Sequence, residues 1–345
     1  TDLTNKLYGD ILVNSVSRLE TYEKCACMHF LQYGLGLKER QLGEFDAMDM
    51  GNALHESLQR YGEFAKQMNM NWNEYSEKEQ EKVIDEIVLK TLESMNVEFL
   101  EENARKAYEI KRLKRLVKRT VQTIGIETDQ SNYQPTYFET TFEEVEKGEE
   151  KLISLDHSGA MELIGKIDRI DLRKMADALD FRVVDYKSSS KKLDFSSVYY
   201  GLQLQLAVYV NMAEKLLKKE FPGKKILPEG AYYYRIDDPL IKVTGELTQE
   251  EINVEIAKEL QMNGEDGIEH LNMIKEYAKH KVKQVGNKIK SGNIDTNPFH
   301  HGTESGCDYC KFQAICKFDE KTEGYSFNQM RKLDVDEAIA KMKEE

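Results

Sequence analysis

The chain has 345 residues, of which 40% are hydrophobic and 32% charged, with only five prolines. A chain of this length and composition can bury a sizeable core, so it is not an intrinsically disordered protein but an ordered, helix-rich one. Its formal charge of −13 would ordinarily argue against binding to nucleic acid, because phosphate groups need cations.

Two further classes of protein are disfavoured. No apolar run approaches the ~20 residues of a membrane helix, and the first residues, TDLTNKLYGD, lack the basic and apolar parts of a signal peptide. The five cysteines are bunched near residue 25 and at 307–316, which is not typical of a secreted disulfide framework. We therefore predict a cytoplasmic protein without a membrane segment, and metal chemistry at its cysteines.

The first predicted element is a helix. Ser17 is followed three residues later by Glu20, which is a capping-box pattern, and the helix is expected to run to about Tyr33. Cys25 and Cys27 are predicted to lie on it.

A second helix is predicted after the loop at 42–46. The stretch AMDMGNALHESLQRYGEFAKQM has apolar residues at helical spacing, and it carries His55. Gly51 lies one turn before His55, where a glycine would let the backbone pack closely against a neighbour.

Residues 76–125 are predicted to form two long charged helices, which we interpret as a helical insertion. The second contains KRLKRLVKR, residues 111–119, and a further basic group consists of Lys187, Lys191 and Lys192. A basic run of this kind is typical of a solvent-facing helix or of a contact with nucleic acid, and the sequence favours neither.

The sequence becomes rich in β-branched and aromatic residues over about 135–240, the predicted sheet core. Strands are expected at TYFETTFE, KLISL, MELIGKIDRIDL, FRVVDYK and AYYYRI. A crossover helix is predicted from about Ser196 to Lys219, and two more helices over about 248–290, in a carboxy-terminal part that extends over 248–345. This order predicts an α/β or α+β protein with one central mixed sheet flanked by helices.

The segment FRVVDYK contains the charged residues that point most directly to chemistry. Side chains alternate along a strand, so Asp185 and Lys187 should project from the same side. The preceding segment, GKIDRIDL, should pair with this strand in a hairpin and bring Asp168 to the same face. Two carboxylates beside a lysine form an oxygen-rich site suited to Mg²⁺ or Mn²⁺ rather than to zinc.

Residues on two helices complete this pattern. His55 could supply an imidazole ligand, while Gln205 and Tyr209, at i and i+4, could order Lys187 or a substrate phosphate. Each residue alone has an ordinary structural interpretation, such as a packed histidine or the polar edge of a helix. Only their order along the chain carries the functional hypothesis.

That order is a helical histidine, G-x-I-D, D-Y-K on the next strand and Q-x-x-x-Y on the following helix. It resembles the RecB family of nucleases within the PD-(D/E)xK superfamily. SRLETYEKC, GLQLQLAVY and CDYCKFQAIC are similar to the carboxy-terminal nuclease domain of AddB-type subunits of bacterial AddAB helicase-nucleases. The resemblance covers nearly the whole chain. It implies a restriction-endonuclease-like core, a single nuclease domain over residues 1–345, and a fragment of a longer polypeptide.

The resemblance implies a metal-dependent DNA exonuclease that acts beside an AddA-type subunit. Such an enzyme would process double-strand breaks for recombination by trimming the 5′-terminated strand. The implied metal ligands are His55, Asp168 and Asp185, and the implied catalytic set is Asp168, Asp185, Lys187, Gln205 and Tyr209. The alternative is a catalytically silent DNA-binding or scaffolding module of the same fold.

GCDYCKFQAICKF, residues 306–318, contains a C-x₂-C-x₅-C pattern. The first pair can hold a metal from a turn and the third cysteine can return from a short helix, and this spacing allows either zinc or a [4Fe–4S] cluster. An RNA-binding module stabilised by zinc would need aromatic side chains near the cysteines on which bases could stack, and Tyr309 and Phe312 are only weak evidence for this. The resemblance implies instead a [4Fe–4S] cluster that fastens both ends of the fold, held by Cys25, Cys307, Cys310 and Cys316.

Two features depart from the family pattern. Cys25-Ala26-Cys27 stands where the family has C-P-F, so Cys27 is an extra thiol that competes with Cys25 for the role of ligand. Between about Met262 and Leu271 the chain also looks shorter than its relatives, as expected if a loop were omitted.

Overall fold

The computed structural model describes residues 2–38, 45–72, 74–95, 104–146, 152–156, 159–187, 193–235 and 265–345. The helices are α1 (Asp2–Tyr8), α2 (Val16–Lys24), α3 (Ala26–His29), α4 (Ala47–Gln67), α5 (Glu77–Ser94), α6 (Ala104–Ser131), α7 (Phe142–Val145), α8 (Phe195–Tyr199), α9 (Gln205–Glu220), α10 (Glu265–Lys290), α11 (Gln313–Cys316) and α12 (Val335–Glu344), with a π-helical turn at Phe30–Gly34. The strands are β1 (Ile11–Ser15), β2 (Gln134–Thr141), β3 (Leu152–Ser154), β4 (Ala160–Ile164), β5 (Lys166–Lys174), β6 (Ala178–Lys187), β7 (Lys225–Arg235), β8 (Phe299–His301), β9 (Glu304–Ser305) and β10 (Asn328–Gln329). Within these ranges no helix has the length and apolar character needed to cross a membrane.

The strands form three sheets where the sequence predicted one. The largest sheet has the order β2-β5-β6-β7 and is mixed, with β2, β5 and β6 antiparallel and β7 parallel to β6. A second sheet has the order β1-β4-β3, and a small third sheet, β10-β8-β9, is formed near the carboxy terminus. The predicted mixed α/β architecture is confirmed, and the predicted hairpin of GKIDRIDL with FRVVDYK is the β5/β6 pair.

Gly165 explains why the predicted strand MELIGKIDRIDL is two strands. It separates β4 from β5, which belong to different sheets. A Cβ atom at this position would lie 2.9 Å from the ring of Phe142, so only glycine fits beneath that ring. The chain therefore leaves one sheet and enters the other at a single residue, three positions before Asp168.

Helices cover both faces of the large sheet. Helices α4, α5 and α6 share one core with Val184, Tyr186 and Tyr234 of β6 and β7. The second core contains Phe181 and Val183 from the other face of β6, together with α2, α9 and α10. The predicted helical insertion, α5 and α6, is thus part of the layer that covers the sheet.

The predicted start of the first helix was wrong. Strand β1 runs as far as Ser15, and Ser15, not Ser17, caps α2 by accepting a hydrogen bond from the backbone N–H of Arg18. The helix ends at Lys24, and Cys25 is extended, with φ −170°, so Cys25 lies between α2 and α3 rather than on a continuous helix. Glu20 does not complete a capping box, because its buried carboxylate is used elsewhere.

The predicted crossover helix is also divided. It consists of α8 and α9, separated by a turn in which Gly201 has a φ of +77°, a conformation that interrupts a helix and favours glycine. Of the two helices predicted over 248–290, the described residues contain α10, and 248–264 lie outside them.

The basic run on α6 packs beside the acidic helix α5. Lys114 lies 2.9 Å from Asp85, and Lys118 lies 3.1 Å from Glu77. These contacts favour the structural interpretation of the run over a contact with nucleic acid. Of the other predicted basic group, Lys187 ends β6, whereas Lys191 and Lys192 lie outside the described residues.

Candidate active site

Three strands bring acidic residues to one end of the large sheet. Strand β5 pairs with β2 on one side and with β6 on the other, and both pairs are antiparallel. The last residues of β2 and β6 therefore lie beside the first residues of β5. This places Glu139 near the end of β2, Asp168 near the start of β5, and Asp185 near the end of β6. The carboxylates are buried, with side-chain exposures of 7%, 10% and 1%, respectively.

Helix α4 adds His55 to this end of the sheet. The helix lies close to β2 because Gly62 has no side chain: a Cβ atom there would be 2.3 Å from the ring of Phe138. Gly51, by contrast, was predicted to be the close-packing glycine, and a Cβ atom there would meet no described atom within 4 Å. That interpretation was wrong, although the predicted helix and its histidine are present.

The imidazole of His55 and two carboxylates form a potential metal site. Ligand atoms of His55, Glu139 and Asp168 all lie within 4.8 Å of one another. Nδ1 of His55 lies 3.3 Å from Oε1 of Glu139 and 3.5 Å from Oδ2 of Asp168. Burial opposes protonation of the ring, but the two carboxylates outweigh it and raise the pKa of His55 to about 10. A metal ion would have to displace this proton, since imidazole binds metals in its neutral form.

Asp185 and Lys187 lie beside this group as an ion pair. Nζ of Lys187 is 2.6 Å from Oδ2 of Asp185. Burial raises the pKa of Asp185, and the nearby charge of Asp168 raises it further, against the lowering effect of Lys187. Asp185 and the neighbouring buried carboxylate of Asp168 form a donor set that a divalent cation would stabilise.

The orientation of Lys187 is fixed by a chain of hydrogen bonds from α9. Nζ of Lys187 donates to Oε1 of Gln205 at 3.1 Å, and Nε2 of Gln205 donates to the hydroxyl of Tyr209 at 2.8 Å. Tyr209 is buried, which raises its pKa, so its hydroxyl remains neutral. The structure thus brings together all six residues singled out in the sequence: His55, Asp168, Asp185, Lys187, Gln205 and Tyr209.

Glu139 is the site residue that sequence analysis missed. It lies in TYFETTFE, a segment predicted as a strand but without any recognised motif. Its backbone φ of +47° is in the left-handed region that non-glycine residues rarely adopt. Strained residues of this kind cluster at functional sites, although only the structure reveals the strain.

A pocket of about 810 Å³ opens onto the group, and His55, Glu139, Asp168 and Tyr209 contribute to its lining. Lys166 also lines this pocket, and its Nζ lies 2.8 Å from Oε2 of Glu139 while the side chain is 57% exposed. An extended polymer could reach the carboxylates through this opening.

All five cysteines line a second pocket, of about 450 Å³, with Met28, Leu31, Phe312 and Phe327 among its other residues. Cys307 and Cys310 lie in a turn, in which the N–H of Cys310 donates to the carbonyl of Cys307, and Cys316 ends the short helix α11. Burial raises the pKa of Cys25 to about 11. Five sulfur donors in a largely apolar pocket fit a thiolate-bound cluster or metal by their chemistry.

With this fold and site, the chain belongs to the PD-(D/E)XK nuclease superfamily, whose family model matches residues 14–317. Among curated proteins, it is 30% identical to an ATP-dependent helicase/deoxyribonuclease subunit from Lachnoclostridium phytofermentans over 391 aligned positions, covering 100% of the chain and 33% of that relative. Proteins of the same name from Clostridium acetobutylicum and Bacillus mycoides are 31% and 30% identical, covering 98% and 100% of the chain and 32% and 33% of the relatives. The chain thus spans about a third of the length of these relatives.

Proposed function

We propose that the chain is a DNA exonuclease that hydrolyses phosphodiester bonds with a divalent metal ion, Mg²⁺ or Mn²⁺. The observation that carries the proposal is the convergence of His55, Glu139 and Asp168 within 4.8 Å, next to the Asp185–Lys187 pair. Membership of a nuclease superfamily agrees with it, as does the word deoxyribonuclease in the names of the relatives.

Metal binding is assigned to His55, Asp168 and Asp185, with Glu139 as an additional ligand. When bound, a divalent ion supplies a Lewis acid for the scissile phosphate and a water of lowered pKa. The residues fit this role because their carboxylates are buried and share one end of the sheet. Oxygen-rich donor sets with one imidazole suit Mg²⁺ or Mn²⁺.

Lys187 is assigned a catalytic role, in contact with the attacking water and the scissile phosphate. Its ammonium, held by Asp185 and Gln205, can orient the attacking water and stabilise the charge that develops on the phosphate. Tyr209 fixes the amide of Gln205, so the lysine is aimed before substrate arrives. The pocket lined by His55, Asp168 and Lys166 is the proposed route by which a DNA strand would reach the metal ligands.

The decisive test is cleavage of labelled single-stranded DNA with Mg²⁺, with and without EDTA, in wild-type protein and in Lys187→Ala. EDTA should stop cleavage, and Lys187→Ala should lower the rate by ~10²–10³ or more while DNA binding remains nearly intact, because one positioned electrostatic group is lost. Lys174→Ala, an exposed lysine at the far end of β5, is the matched control and should cleave at the wild-type rate. Near-normal cleavage by Lys187→Ala would reject the site.

The main alternative is a catalytically silent DNA-binding or scaffolding module of the same fold. It predicts DNA binding without cleavage in the presence of Mg²⁺. The intact set of carboxylates and lysine favours the nuclease.

We also propose that this nuclease works within a helicase-nuclease, beside an AddA-type subunit, and trims the 5′-terminated strand of broken duplex DNA for recombination. The names of the relatives, which combine helicase and deoxyribonuclease, support this assignment. Such a role would place the protein in the bacterial cytoplasm, where chromosomal DNA lies. Strand-specific end labelling of a duplex, incubated with the chain and its AddA-type partner, would show which strand shortens.

The second pocket is proposed to hold a [4Fe–4S] cluster on Cys25, Cys307, Cys310 and Cys316. Its role would be structural, because it would join residues from both ends of the single nuclease domain that we propose for 1–345. Metal analysis of anaerobically purified protein tests this: about four iron atoms per chain are expected. A single zinc per chain would contradict it.

A further inference from the structure

The cysteine pocket contains one more thiol than a [4Fe–4S] cluster uses. Five cysteines line it, and such a cluster is held by four. We propose that Cys27 is a reserve ligand: the cluster is held by Cys25 and the three carboxy-terminal cysteines, and Cys27 takes the place of Cys25 when that thiol is lost. This inference rests on the proposed cluster, and it concerns which thiols of this chain can complete the site.

The backbone around Cys25 makes it the principal ligand of the amino-terminal segment. Cys25 precedes α3 in an extended conformation, with φ −170°, and its side chain makes no capping hydrogen bond to that helix. Its thiol is therefore available to a cluster in the pocket that it lines. Cys25 is also buried, with 7% exposure, as expected for a thiol that holds a cluster away from water.

Cys27 lies within reach of the same partners. It is on α3, is more exposed than Cys25, and lines the same pocket as Cys316. Cys25 lines this pocket too, so both amino-terminal thiols share one cavity with the three carboxy-terminal ones. A thiol that already lines the pocket of the other sulfurs needs only a small movement to bind the same cluster.

The pocket does not depend on Cys25 for its shape. The backbone N–H of Cys27 donates to the carbonyl of Asp295, and Gly306 lies so close to Lys24 that a Cβ atom there would be 2.5 Å from the Lys24 carbonyl oxygen. These backbone contacts join the amino-terminal and carboxy-terminal halves of the pocket. They would hold Cys27 at this pocket after Cys25 is replaced.

Four variants test the proposal: Cys25→Ser, Cys27→Ser, the double variant and Cys310→Ser. Each is purified anaerobically, checked for folding by circular dichroism, and scored for iron and sulfide per chain. Cys27→Ser should match wild type, and Cys25→Ser should keep most of its iron. The double variant should lose iron by about tenfold or more, because only three thiols remain. Cys310→Ser should lose it to the same extent, because Cys27 lies on α3 and can replace the neighbouring Cys25 but not a ligand of the carboxy-terminal turn.

Labelling of free thiols with a maleimide gives an independent readout that a merely structural defect would not reproduce. The cluster-loaded wild type should label at Cys27 alone, and cluster-loaded Cys25→Ser should not label at any cysteine. Loss of iron from Cys25→Ser to the level of Cys310→Ser would overturn the proposal, as would loss from Cys27→Ser.

Failure of the cluster proposal itself has a different signature. Wild-type protein that contains zinc in place of iron rejects the cluster, yet zinc content across the same four variants still decides whether Cys27 can replace Cys25. Wild-type protein that contains neither metal rejects both proposals.

Discussion

At the residue scale, the charges at the mouth of the candidate active-site pocket are balanced in a way that a metal ion would change. Glu139 contacts both His55 and Lys166, with Nζ of Lys166 2.8 Å from its carboxylate. A divalent ion bound to Glu139 would compete with this lysine for the same oxygen atoms. Lys166 would then be available to bind a phosphate of the incoming strand, since it is exposed and lines the pocket.

Lys166→Ala should therefore weaken binding of single-stranded DNA and make it less dependent on salt. Each phosphate contact contributes about 0.7 to the slope of log affinity against log salt for a single strand, so the slope should fall by about that amount. Affinity measured at several salt concentrations with Mg²⁺ checks this, and Lys166→Arg should restore most of the slope. An unchanged slope in Lys166→Ala would show that this lysine serves only to neutralise Glu139.

The sequence was a good guide to the site where residue type and strand alternation suffice. Asp168, Asp185 and Lys187 were placed together from the two-residue period of β5 and β6, and their roles remain predictions. Glu139 could not be found in this way, because its position depends on an unusual backbone angle and on the pairing of β2 with β5. Which strands pair over a long distance in sequence cannot be predicted from the local residue pattern of either strand.

At the scale of secondary-structure elements, α2 supports the helix that carries Gln205 and Tyr209. The carboxylate of Glu20 accepts the backbone N–H groups of Leu204 at 2.8 Å and Gln205 at 3.1 Å. Glu20 is 6% exposed and is distant in sequence from α9, so it satisfies the first amides of α9 in place of a local cap. A negative charge at this end is also favoured by the helix dipole.

Glu20→Ala should destabilise the protein by about 1–3 kcal/mol, because it leaves two N–H groups at the start of α9 without an acceptor. It should also lower the cleavage rate, since Gln205 would no longer hold Lys187 as firmly. Urea unfolding and the single-stranded DNA assay measure the two effects. Glu20→Gln is the matched control, because its amide oxygen can still accept a hydrogen bond; equal losses in both variants would contradict this role.

The elements themselves were predicted well where periodicity was long and regular. Helix α4 buries Leu54, Leu58, Tyr61 and Ala65, the apolar positions of its predicted period. Strands β5 and β6 are buried along nearly their whole length, so their β-branched and aromatic residues, rather than an alternation of burial, indicated them. The crossover helix was predicted as continuous because its apolar spacing persists through Gly201, whose positive φ ends α8. The capping box at Ser17 failed for a tertiary reason: Glu20 binds α9 rather than its own helix.

At the scale of the whole molecule, a buried network of charges joins the helical layer to the sheet. Arg169 is fully buried, and its Nε lies 2.8 Å from Oδ1 of Asp171. Arg182 contacts the same aspartate at 2.9 Å and Glu127 of α6 at 2.6 Å. Arg169 also donates a hydrogen bond to the hydroxyl of Tyr186, the residue between Asp185 and Lys187 in the chain. Two cations and two anions balance, so removal of one member leaves an uncompensated charge.

Arg169→Ala should accordingly cost about 3–5 kcal/mol of unfolding free energy, because the remaining carboxylates stay buried without their partner. Arg112→Ala is the control: Arg112 forms an exposed ion pair with Glu109, and such pairs contribute at most about 1 kcal/mol. Urea denaturation of both variants measures the difference. A loss below about 1 kcal/mol for Arg169→Ala would show that the layers hold together by apolar packing alone.

The backbone of Glu139 has a consequence for how the protein can evolve. An L-residue in the left-handed region is about 1–2 kcal/mol less stable than in its preferred conformation, whereas glycine adopts that region freely. Glu139→Gly should therefore be more stable than Glu139→Ala by about 1 kcal/mol, the reverse of the usual order in a strand, and thermal unfolding of the two variants would show it. Neither variant keeps the carboxylate. Selection for stability alone would favour glycine at this position, so under the proposed metal-binding role Glu139 is a residue where activity and stability are in conflict.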